Sequence, residues 1–311
     1  MTTLYEGAFA KINLTLDVTG KREDGYHDIK SVMQTVSIRD DVEIDVGTGK
    51  PWSILCCSEH FPTEEEAQKA GKNLDEMAPS LVPVEGIPND ERNLAWKAAK
   101  VFFEAMNTDP DGISIRILKR IPSGAGLGGG SADAAAVLRA LNKHYDSPLS
   151  LYALAELGEQ VGSDVPFCVV MGTCLVEGRG DRIRKLQNMP DCVIVVCKPE
   201  FSISTPELYQ KIDEITIPTH PDHMAMESAI LQGDIQKLSD QVYNVFDPIV
   251  TKDHLELNYI KSIMNTYGSR IGSMTGSGSA VFAIAESFEA AIIMCNMLKD
   301  RYPQVYLCKP V

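Results

Sequence analysis

The most informative segment of the sequence reads Ile121-Pro122-Ser123-Gly124-Ala125-Gly126-Leu127-Gly128-Gly129-Gly130-Ser131-Ala132. Five of the seven positions from 124 to 130 are glycine. Glycine loses more backbone entropy on folding than any other residue, so this density indicates a geometric requirement. Backbone without Cβ atoms can approach a ligand closely, and a helix beginning near Ser131 would add the positive end of its dipole. The segment therefore predicts a site for an anion such as a phosphate group.

Two common phosphate motifs fit this segment poorly. Gly124-x-Gly126-x-x-Gly129 matches the dinucleotide fingerprint, but the preceding strand, 112–120, alternates apolar and polar residues instead of being apolar throughout. The helix predicted from Ala132 also leads into another helix and not into a second strand. No Gly-Lys-Ser/Thr closes the loop, so the Walker A pattern is absent. A flexible turn without a ligand is disfavoured because the glycines run directly into a helix.

The rest of the chain predicts an irregular mixture of strands and helices. From residue 12 to 16 the first strand alternates, which indicates a half-buried strand with Lys11 and Asn13 on the face opposite its apolar side chains. The residue patterns predict strands at 8–17, 31–46, 112–120, 172–177, 192–198, 280–286 and 304–309. They predict helices at 93–106, 132–143, 149–161, 206–213, 224–231, 235–243 and 288–301, with a possible short helix from Glu64. This order favours an α+β fold, and 311 residues allow two domains, divided near 186–191.

Composition and charge restrict the class of protein. Hydrophobic residues make up 44% and charged residues 23%, which is typical of a soluble globular protein. The net charge of −14 argues against a nucleic-acid partner and means that an anionic ligand needs local cationic groups. The eight cysteines form no C-x-x-C pair and are expected to be free thiols. Without an apolar run of about 18 residues or a secretory signal, we expect no membrane partner and a cytoplasmic location.

Four segments resemble those of a known family. The loop P-x-G-x-G-L-G-G-G-S-A resembles the phosphate loop of the GHMP kinase superfamily, and T-G-S-G-S-A-V-F-A at 275–283 is similar to its carboxy-terminal motif. A-F-A-K-I-N-L-T-L-D-V-T-G-K-R-E-D-G-Y-H at 8–27 and G-S-D-V-P-F at 162–167 resemble segments of the 4-diphosphocytidyl-2-C-methyl-D-erythritol kinases. These motifs follow the family's order along nearly the whole chain. Residues 47–90 depart from the family because they are longer, and their role is not implied by it.

The resemblance implies a two-domain GHMP kinase fold of the α+β class. Its ribosomal-protein-S5-like N-terminal domain, residues 1–186, would bind ATP, and its ferredoxin-like C-terminal domain, residues 187–311, would close the substrate cleft. It implies ATP-dependent, Mg²⁺-dependent phosphorylation of the 2-hydroxyl of 4-diphosphocytidyl-2-C-methyl-D-erythritol, in the non-mevalonate pathway to isoprenoids. The partner would be this small molecule, and the chain would be a monomer or a weak homodimer.

The same resemblance implies a catalytic pair. Asp164 would accept the proton of the alcohol, and Lys11 would keep that carboxylate ionised while offsetting charge on the reacting oxygens. Taken alone, an aspartate in Gly162-Ser163-Asp164-Val165-Pro166 could cap or turn the chain. A lone lysine could likewise lie at a strand edge with its charge in solvent.

The resemblance also implies ligand-binding residues. Residues 122–132 would hold the phosphates of ATP, and Ser131 would contact Mg²⁺ or a phosphate oxygen, although it could instead cap the helix. Asp133, in the first turn of that helix, would repel a phosphate, a cost that the sequence leaves unexplained. The residues implied for the substrate are Asn13 for orientation, Tyr26 and His27 for the cytidine, and Thr205 and Tyr209 for the opposite wall.

Two other functions remain open at this stage. The first is a GHMP kinase for another small alcohol, such as homoserine or mevalonate, which would not require the nucleobase-binding loop Gly25-Tyr26-His27. The second is a catalytically silent sensor of the same fold, which would not require Lys11 and Asp164.

Overall fold

The computed structural model describes residues 1–73 and 76–311, and within these it contains two sheets surrounded by helices. The strands are β1 Thr2–Lys21, β2 His27–Val46, β3 Ser53–His60, β4 Ser80–Pro83, β5 Ile113–Leu118, β6 Thr173–Gly178, β7 Arg182–Lys185, β8 Val193–Lys198, β9 Tyr243–Asn244, β10 Ser269–Met274, β11 Val281–Ala285 and β12 Gln304–Cys308. The helices are α1 Glu64–Ala70, α2 Leu94–Met106, α3 Gly129–His144, α4 Leu151–Glu159, α5 Val165–Val170, α6 Thr205–Asp213, α7 His223–Gln232, α8 Ile235–Asp240, α9 Asp247–Asp253, α10 Leu255–Thr266 and α11 Phe288–Lys299.

The first sheet has eight strands built around the long antiparallel hairpin of β1 and β2. Its main path runs β4-β3-β5-β2-β1-β9, and β6 pairs with both β2 and β7. The second sheet is antiparallel and runs β10-β11-β8-β12. Strands and helices do not alternate in a regular βαβ winding, so the predicted α+β class is confirmed.

From residue 10 to 18, strand β1 is buried on both faces, so the expectation of a half-buried strand at 12–16 is wrong. Lys11 and Asn13 are only 3% and 1% exposed. Their face is covered because the chain after β10 lies against it: Asn13 accepts a hydrogen bond from the backbone N–H of Gly276 at 2.9 Å. The two residues are 263 positions apart, so the residue pattern around β1 could not indicate this contact.

Residues 47–90 contain more regular structure than the sequence indicated. Strand β3 pairs in parallel with β5 and extends the first sheet, and β4 lies at its edge. The possible short helix from Glu64 is confirmed as α1, where Thr63 and Glu66 form a reciprocal capping box. Residues 74 and 75 of this segment lie outside the described residues.

The region before the second glycine-rich motif was predicted least well. Helices α9 and α10 and strand β10 of this region were not predicted, and neither was the short helix α5 earlier in the chain. The helix expected at 235–243 ends at Asp240, and Tyr243–Asn244 instead pairs in parallel with β1. The side chain of Asn244 donates hydrogen bonds to the carbonyls of Met274 and Gly276, so a tertiary contact determines the conformation here.

Strand β8 separates two hydrophobic cores. Ile194 and Val196 face the core beneath the first sheet, whereas Val195 and Cys197 face a second core with α10 and α11.

All eight cysteines are free thiols, as expected. The domain boundary after residue 186 stays a prediction.

Among the described residues, the structure contains no helix with both the length and the apolar character needed to cross a membrane.

Candidate active site

A cavity of about 990 Å³ collects most of the residues that the sequence singled out. One part of its wall is the glycine-rich loop, and a second part comes from 86–88 and 92–94. A third part comes from the β1–β2 turn and the face of α6 that carries Thr205 and Tyr209. Lys11 and Asp164 also line this cavity. The elements that form it are far apart in sequence, so the cavity exists only in the folded chain.

The glycine-rich loop leads into α3 earlier than predicted. The helix begins at Gly129 with Gly128 as its N-cap, so Ser131 lies in the first turn and is not the cap. Gly128 takes a φ of +71°, which glycine adopts without steric cost. The first N–H groups of a helix have no acceptor within the helix, and residues 122–130 line the cavity where α3 begins. Ser131 and Ala132 do not line the cavity, and the metal role of Ser131 stays a prediction.

A buried ionic cluster lies beneath this loop. Lys119 donates to Asp133 at 2.6 Å and also to Asp40, which accepts the backbone N–H groups of Arg120 and Ile121. Burial raises the pKa of Asp133 to about 8 despite the opposing charge of Lys119. Burial lowers the pKa of Lys119, but the charges of Asp133 and Asp40 outweigh it and leave that pKa raised. The ammonium group of Lys119 lies directly against Asp133, so the expected repulsion between this side chain and a phosphate is reduced.

Lys11 and Asp164 form a looser pair at the other side of the loop. Lys11 Nζ lies 3.6 Å from Asp164 Oδ2. Asp164 precedes α5 as its N-cap residue, but its carboxylate makes no capping hydrogen bond and its side chain is 31% exposed. A Cβ at Gly128 would lie 3.1 Å from Lys11 Cγ and 3.8 Å from Asp164 Oδ2. The bare backbone of Gly128 thus runs directly beside this pair.

Asn13 holds Lys11 in place. Lys11 Nζ donates to Asn13 Oδ1 at 2.7 Å, and the same oxygen accepts from the N–H of Gly276. The Asn13 amide nitrogen donates to Ser31 Oγ at 2.9 Å. These bonds fix the side chain between β1, β2 and the chain after β10. Its predicted contact with a substrate stays a prediction.

The aromatic residues lie at a different part of the same cavity. His27 Nε2 is 2.6 Å from Asp213 Oδ1, and its ring lies 4.8 Å from that of Tyr209. Tyr209 in turn packs edge-on against Phe246, with ring centroids 5.0 Å apart. Tyr26 is 57% exposed. The structure therefore brings the two segments implied for the cytidine, 26–27 and 205–209, next to each other in this cavity.

Sequence reasoning missed several residues that line this cavity. Thr205, Tyr209 and Asp213 recur every four residues on α6, so helical periodicity could have added Asp213 once Tyr209 was named. The hydrogen bond from His27, followed by that from Lys21, lowers the pKa of Asp213. Ser277, in the glycine-rich motif at 275–283, lies 2.7 Å from Thr205 through the two hydroxyl oxygens. Arg179 and Phe246 had no clear signal in the sequence.

In the described part of the chain, no group of three or more His, Cys, Asp or Glu residues is arranged to hold a metal ion by itself. Mg²⁺ in phosphoryl-transfer sites usually keeps several waters and binds one or two carboxylates together with substrate phosphates. The cavity offers this in Asp164, whose carboxylate is partly exposed beside the glycine-rich loop. The donor set fits an ion that arrives with a triphosphate better than a resident metal.

The arrangement combines three chemical capabilities. The loop and the start of α3 can bind an anion through backbone N–H groups. Asp164 can accept a proton beside the ammonium group of Lys11. The aromatic wall can bind a flat ring. Together they suit the transfer of a phosphoryl group to an alcohol that carries an aromatic group.

Comparison with known proteins agrees with this chemistry. Residues 93–172 match the GHMP kinases N terminal domain, and residues 226–304 match the GHMP kinases C terminal domain. A curated relative from Bacillus velezensis, named 4-diphosphocytidyl-2-C-methyl-D-erythritol kinase, is 38% identical over 99% of this chain and 97% of its own length.

Solved structures share this fold. A crystal structure of 4-(cytidine 5'-diphospho)-2C-methyl-D-erythritol kinase has a TM-score of 0.74 and 28% identity, with 98% of each chain covered. Homoserine kinase from Cytophaga hutchinsonii shares the fold, with a TM-score of 0.71 and 17% identity over 99% of this chain and 94% of its own. The chain therefore belongs to the 4-diphosphocytidyl-2-C-methyl-D-erythritol kinase family of the GHMP kinases.

Proposed function

We propose that this protein transfers the γ-phosphoryl group of ATP to the 2-hydroxyl of 4-diphosphocytidyl-2-C-methyl-D-erythritol, in the non-mevalonate pathway to isoprenoids. One observation carries the proposal: a single cavity contains the glycine-rich loop, the Lys11–Asp164 pair and the aromatic wall of His27 and Tyr209. The loop suits the triphosphate, the pair suits the alcohol, and the aromatic wall suits the nucleobase.

In this proposal the glycine-rich loop and α3 hold the phosphates of ATP. Backbone N–H groups at the start of α3 bind them, and the dipole of the helix favours their charge. Leu94 and Ile121 lie beside the first glycines of the helix, 3.6 Å from a Cβ built at Gly130 and 3.2 Å from one at Gly129 respectively. With Ile87 they give this end of the cavity an apolar surface for the adenine ring.

Asp164 accepts the proton of the hydroxyl as the phosphoryl group arrives. Its carboxylate is free for this because it makes no capping bond and remains partly exposed. Lys11 stabilises the negative charge on Asp164 and on the transferring phosphoryl oxygens. Asn13 keeps the lysine directed at this point through its 2.7 Å hydrogen bond.

Mg²⁺ bound to ATP supplies further neutralisation of the phosphate charge. Asp164 and the predicted ligand Ser131 are the residues of this chain that we assign to its neighbourhood. The protein's own contribution is to bind the phosphates, orient the hydroxyl and receive its proton.

The proposal also covers the domains, the oligomeric state, the cellular location and the partners. Residues 1–186 form the ATP-binding domain, and 187–311 form the domain that closes the cleft. The enzyme works in the cytoplasm as a monomer or weak homodimer, without a nucleic-acid or membrane partner. The eight free thiols are typical of a reducing compartment, and the net charge of −14 disfavours nucleic acid.

The test is an ADP-release assay with purified protein, ATP, Mg²⁺ and the cytidine substrate. We expect one ADP per phosphorylated product, with the new phosphate on the 2-hydroxyl by ³¹P NMR. Homoserine and mevalonate serve as matched alternative acceptors, and faster ADP release with either would overturn the substrate assignment. Nucleotide binding without turnover of any acceptor would identify a silent sensor instead.

A further inference from the structure

The turn between β6 and β7 carries an arginine into the candidate active site. Arg179 lies in this turn and lines the cavity. Its backbone N–H donates to Asp181 Oδ1 at 2.7 Å, which fixes the turn without using the arginine side chain. At Gly180 an added Cβ would collide with the carbonyl oxygen of Ser163, so the turn packs directly on the residue before Asp164. The position of Arg179 is thus tied to that of the proposed base.

The guanidinium group of Arg179 stacks on an aromatic ring. Its Cζ lies 4.0 Å from the centroid of the Tyr26 ring, the residue proposed to bind the nucleobase. Its Nε is buried and has no hydrogen-bond partner among the described residues. An arginine presents five N–H donors in a planar fork, and a buried donor without a partner is costly. The ring of Tyr26 therefore holds the group in place, while its Nε–H lacks an acceptor among the described residues.

The other cations that line the cavity have carboxylate neighbours. Lys21 is 2.6 Å from Asp213 and Arg92 is 2.7 Å from Asp90. Lys11 and Lys119 form the two clusters described above. Within the described residues, Arg179 has no carboxylate within 4.0 Å of its side-chain nitrogens. The charge of Arg179 helps to lower the pKa of the nearby Asp24 carboxyl, but the two groups form no close ion pair. In a protein with a net charge of −14, a guanidinium without a close ion pair in a cavity is suited to an anionic ligand.

We infer that Arg179 binds the diphosphate of the acceptor substrate and thereby selects alcohols linked to a nucleoside diphosphate. In such a substrate the diphosphate lies between the base and the alcohol chain, and Arg179 lies between Tyr26 and the segment of Ser163 and Asp164. This inference rests on the proposed function.

The planar fork of Arg179 suits two oxygens of a phosphate at once, which an ammonium group cannot match. Stacking on Tyr26 fixes the plane of the guanidinium before the ligand arrives, so less rotamer freedom is lost on binding. Arg179 therefore couples recognition of the base to recognition of the diphosphate. A cytidine ligand without phosphates would gain from the ring of Tyr26 and not from Arg179.

The test compares the binding of CDP and of cytidine by titration calorimetry. In the wild type we expect CDP to bind more tightly than cytidine. R179M should weaken CDP binding by about 10- to 100-fold, the range for a charge-assisted hydrogen bond, and leave cytidine binding within about twofold. R179K should recover part of the loss. R182M is the matched control because Arg182 is exposed on the same hairpin and does not line the cavity, so CDP binding should be unchanged.

Two outcomes would overturn the inference. Equal loss of cytidine and CDP binding in R179M would mean that Arg179 only supports the ring of Tyr26. Unchanged CDP binding in R179M, or a wild type that binds CDP no better than cytidine, would remove the diphosphate contact.

Kinetics separates this inference from the proposed function. In R179M the KM for the cytidine substrate should rise by about the factor seen for CDP, with the KM for ATP unchanged. A wild type that does not phosphorylate the cytidine substrate at all would instead contradict the proposed function.

Discussion

Two lysine–aspartate clusters lie beside the glycine-rich loop, and they differ in burial and in how closely their charged groups approach. Lys119 is sandwiched between Asp40 and Asp133, and all three side chains are at most 6% exposed. Lys11 approaches Asp164 only to 3.6 Å, and the side chain of Asp164 is 31% exposed. The first cluster is buried and tightly bonded, whereas the second is open on the side of its carboxylate.

The difference indicates how structure and chemistry are divided around the loop. A buried ion pair must satisfy its charges internally because desolvation is expensive, and Asp40 does this by accepting two backbone N–H groups at the start of the loop. A carboxylate that has to receive a proton must stay accessible and incompletely bonded, as Asp164 does. We therefore expect the Lys119 cluster to govern stability and the Lys11 pair to govern turnover.

Replacing Asp164 by Asn tests the catalytic side of this comparison and has the largest expected effect. The amide keeps the shape of the side chain but cannot accept the proton, so kcat should fall by about 10²- to 10⁴-fold. Steady-state kinetics measures kcat, and calorimetry with an ATP analogue in the absence of Mg²⁺ should show nearly unchanged nucleotide binding. Near-normal turnover in D164N would mean that another group is the base.

Replacing Lys119 by Met tests the structural side. Removing the cation leaves Asp40 and Asp133 buried without their shared partner, so the free energy of unfolding should fall by about 3–5 kcal/mol, as for other broken buried ion pairs. Urea denaturation measures this loss. K100M is the control because Lys100 pairs with Glu104 at 3.9 Å on the surface of α2, where a change of no more than about 0.5 kcal/mol is expected. If K100M and K119M lost the same free energy of unfolding, the Lys119 cluster would have no special role in stability.

The protonation of Asp133 gives a smaller effect that depends on pH. Its pKa, raised by burial to about 8 from an ordinary value of 3.8, means that the folded chain retains a proton that the unfolded chain releases. This group therefore destabilises the fold as the pH rises from about 4 to about 8, by at most about 1.4 kcal/mol per pH unit.

D133N cannot titrate, so it should lose this part of the pH dependence. Between pH 5.5 and pH 8, the free energy of unfolding of D133N relative to wild type should rise. The slope is the relevant measurement, because the amide nitrogen that replaces the unpartnered Oδ1 adds a cost that does not vary with pH. A difference that stays constant over this range would mean that Asp133 is ionised in the folded protein.

The sequence predicted local features well and tertiary ones poorly. The glycine-rich loop, the strand before it and the helix after it were recognisable because their signals are contiguous. The start of α3 was misplaced by three residues because Gly129, a poor helix former, is recruited into the first turn. The burial of Lys11 and Asn13 was missed because it depends on a segment far along the chain.

For the candidate active site, too, residues in local motifs were predicted and residues placed by tertiary packing were missed. Tyr26, His27, Thr205 and Tyr209 were named from motifs, and the structure places them on one cavity. Arg179 was missed because a single arginine in a Gly-Arg-Gly turn has no spacing pattern, and only the packing of the turn brings it against Tyr26. Strand β8 was recognisable in the sequence as an apolar run. The sequence did not indicate that its two faces pack against different cores.

By itself the sequence determined the glycine-rich loop with its predicted phosphate-binding chemistry, the mixed α+β class and the family motifs, because each depends on neighbouring residues and backbone propensity. Only the tertiary structure decided which lysine is sealed between carboxylates and which one faces an open carboxylate. Burial sets the cost of a charge, and burial is a property of the assembled sheets and helices that no short stretch of residues contains.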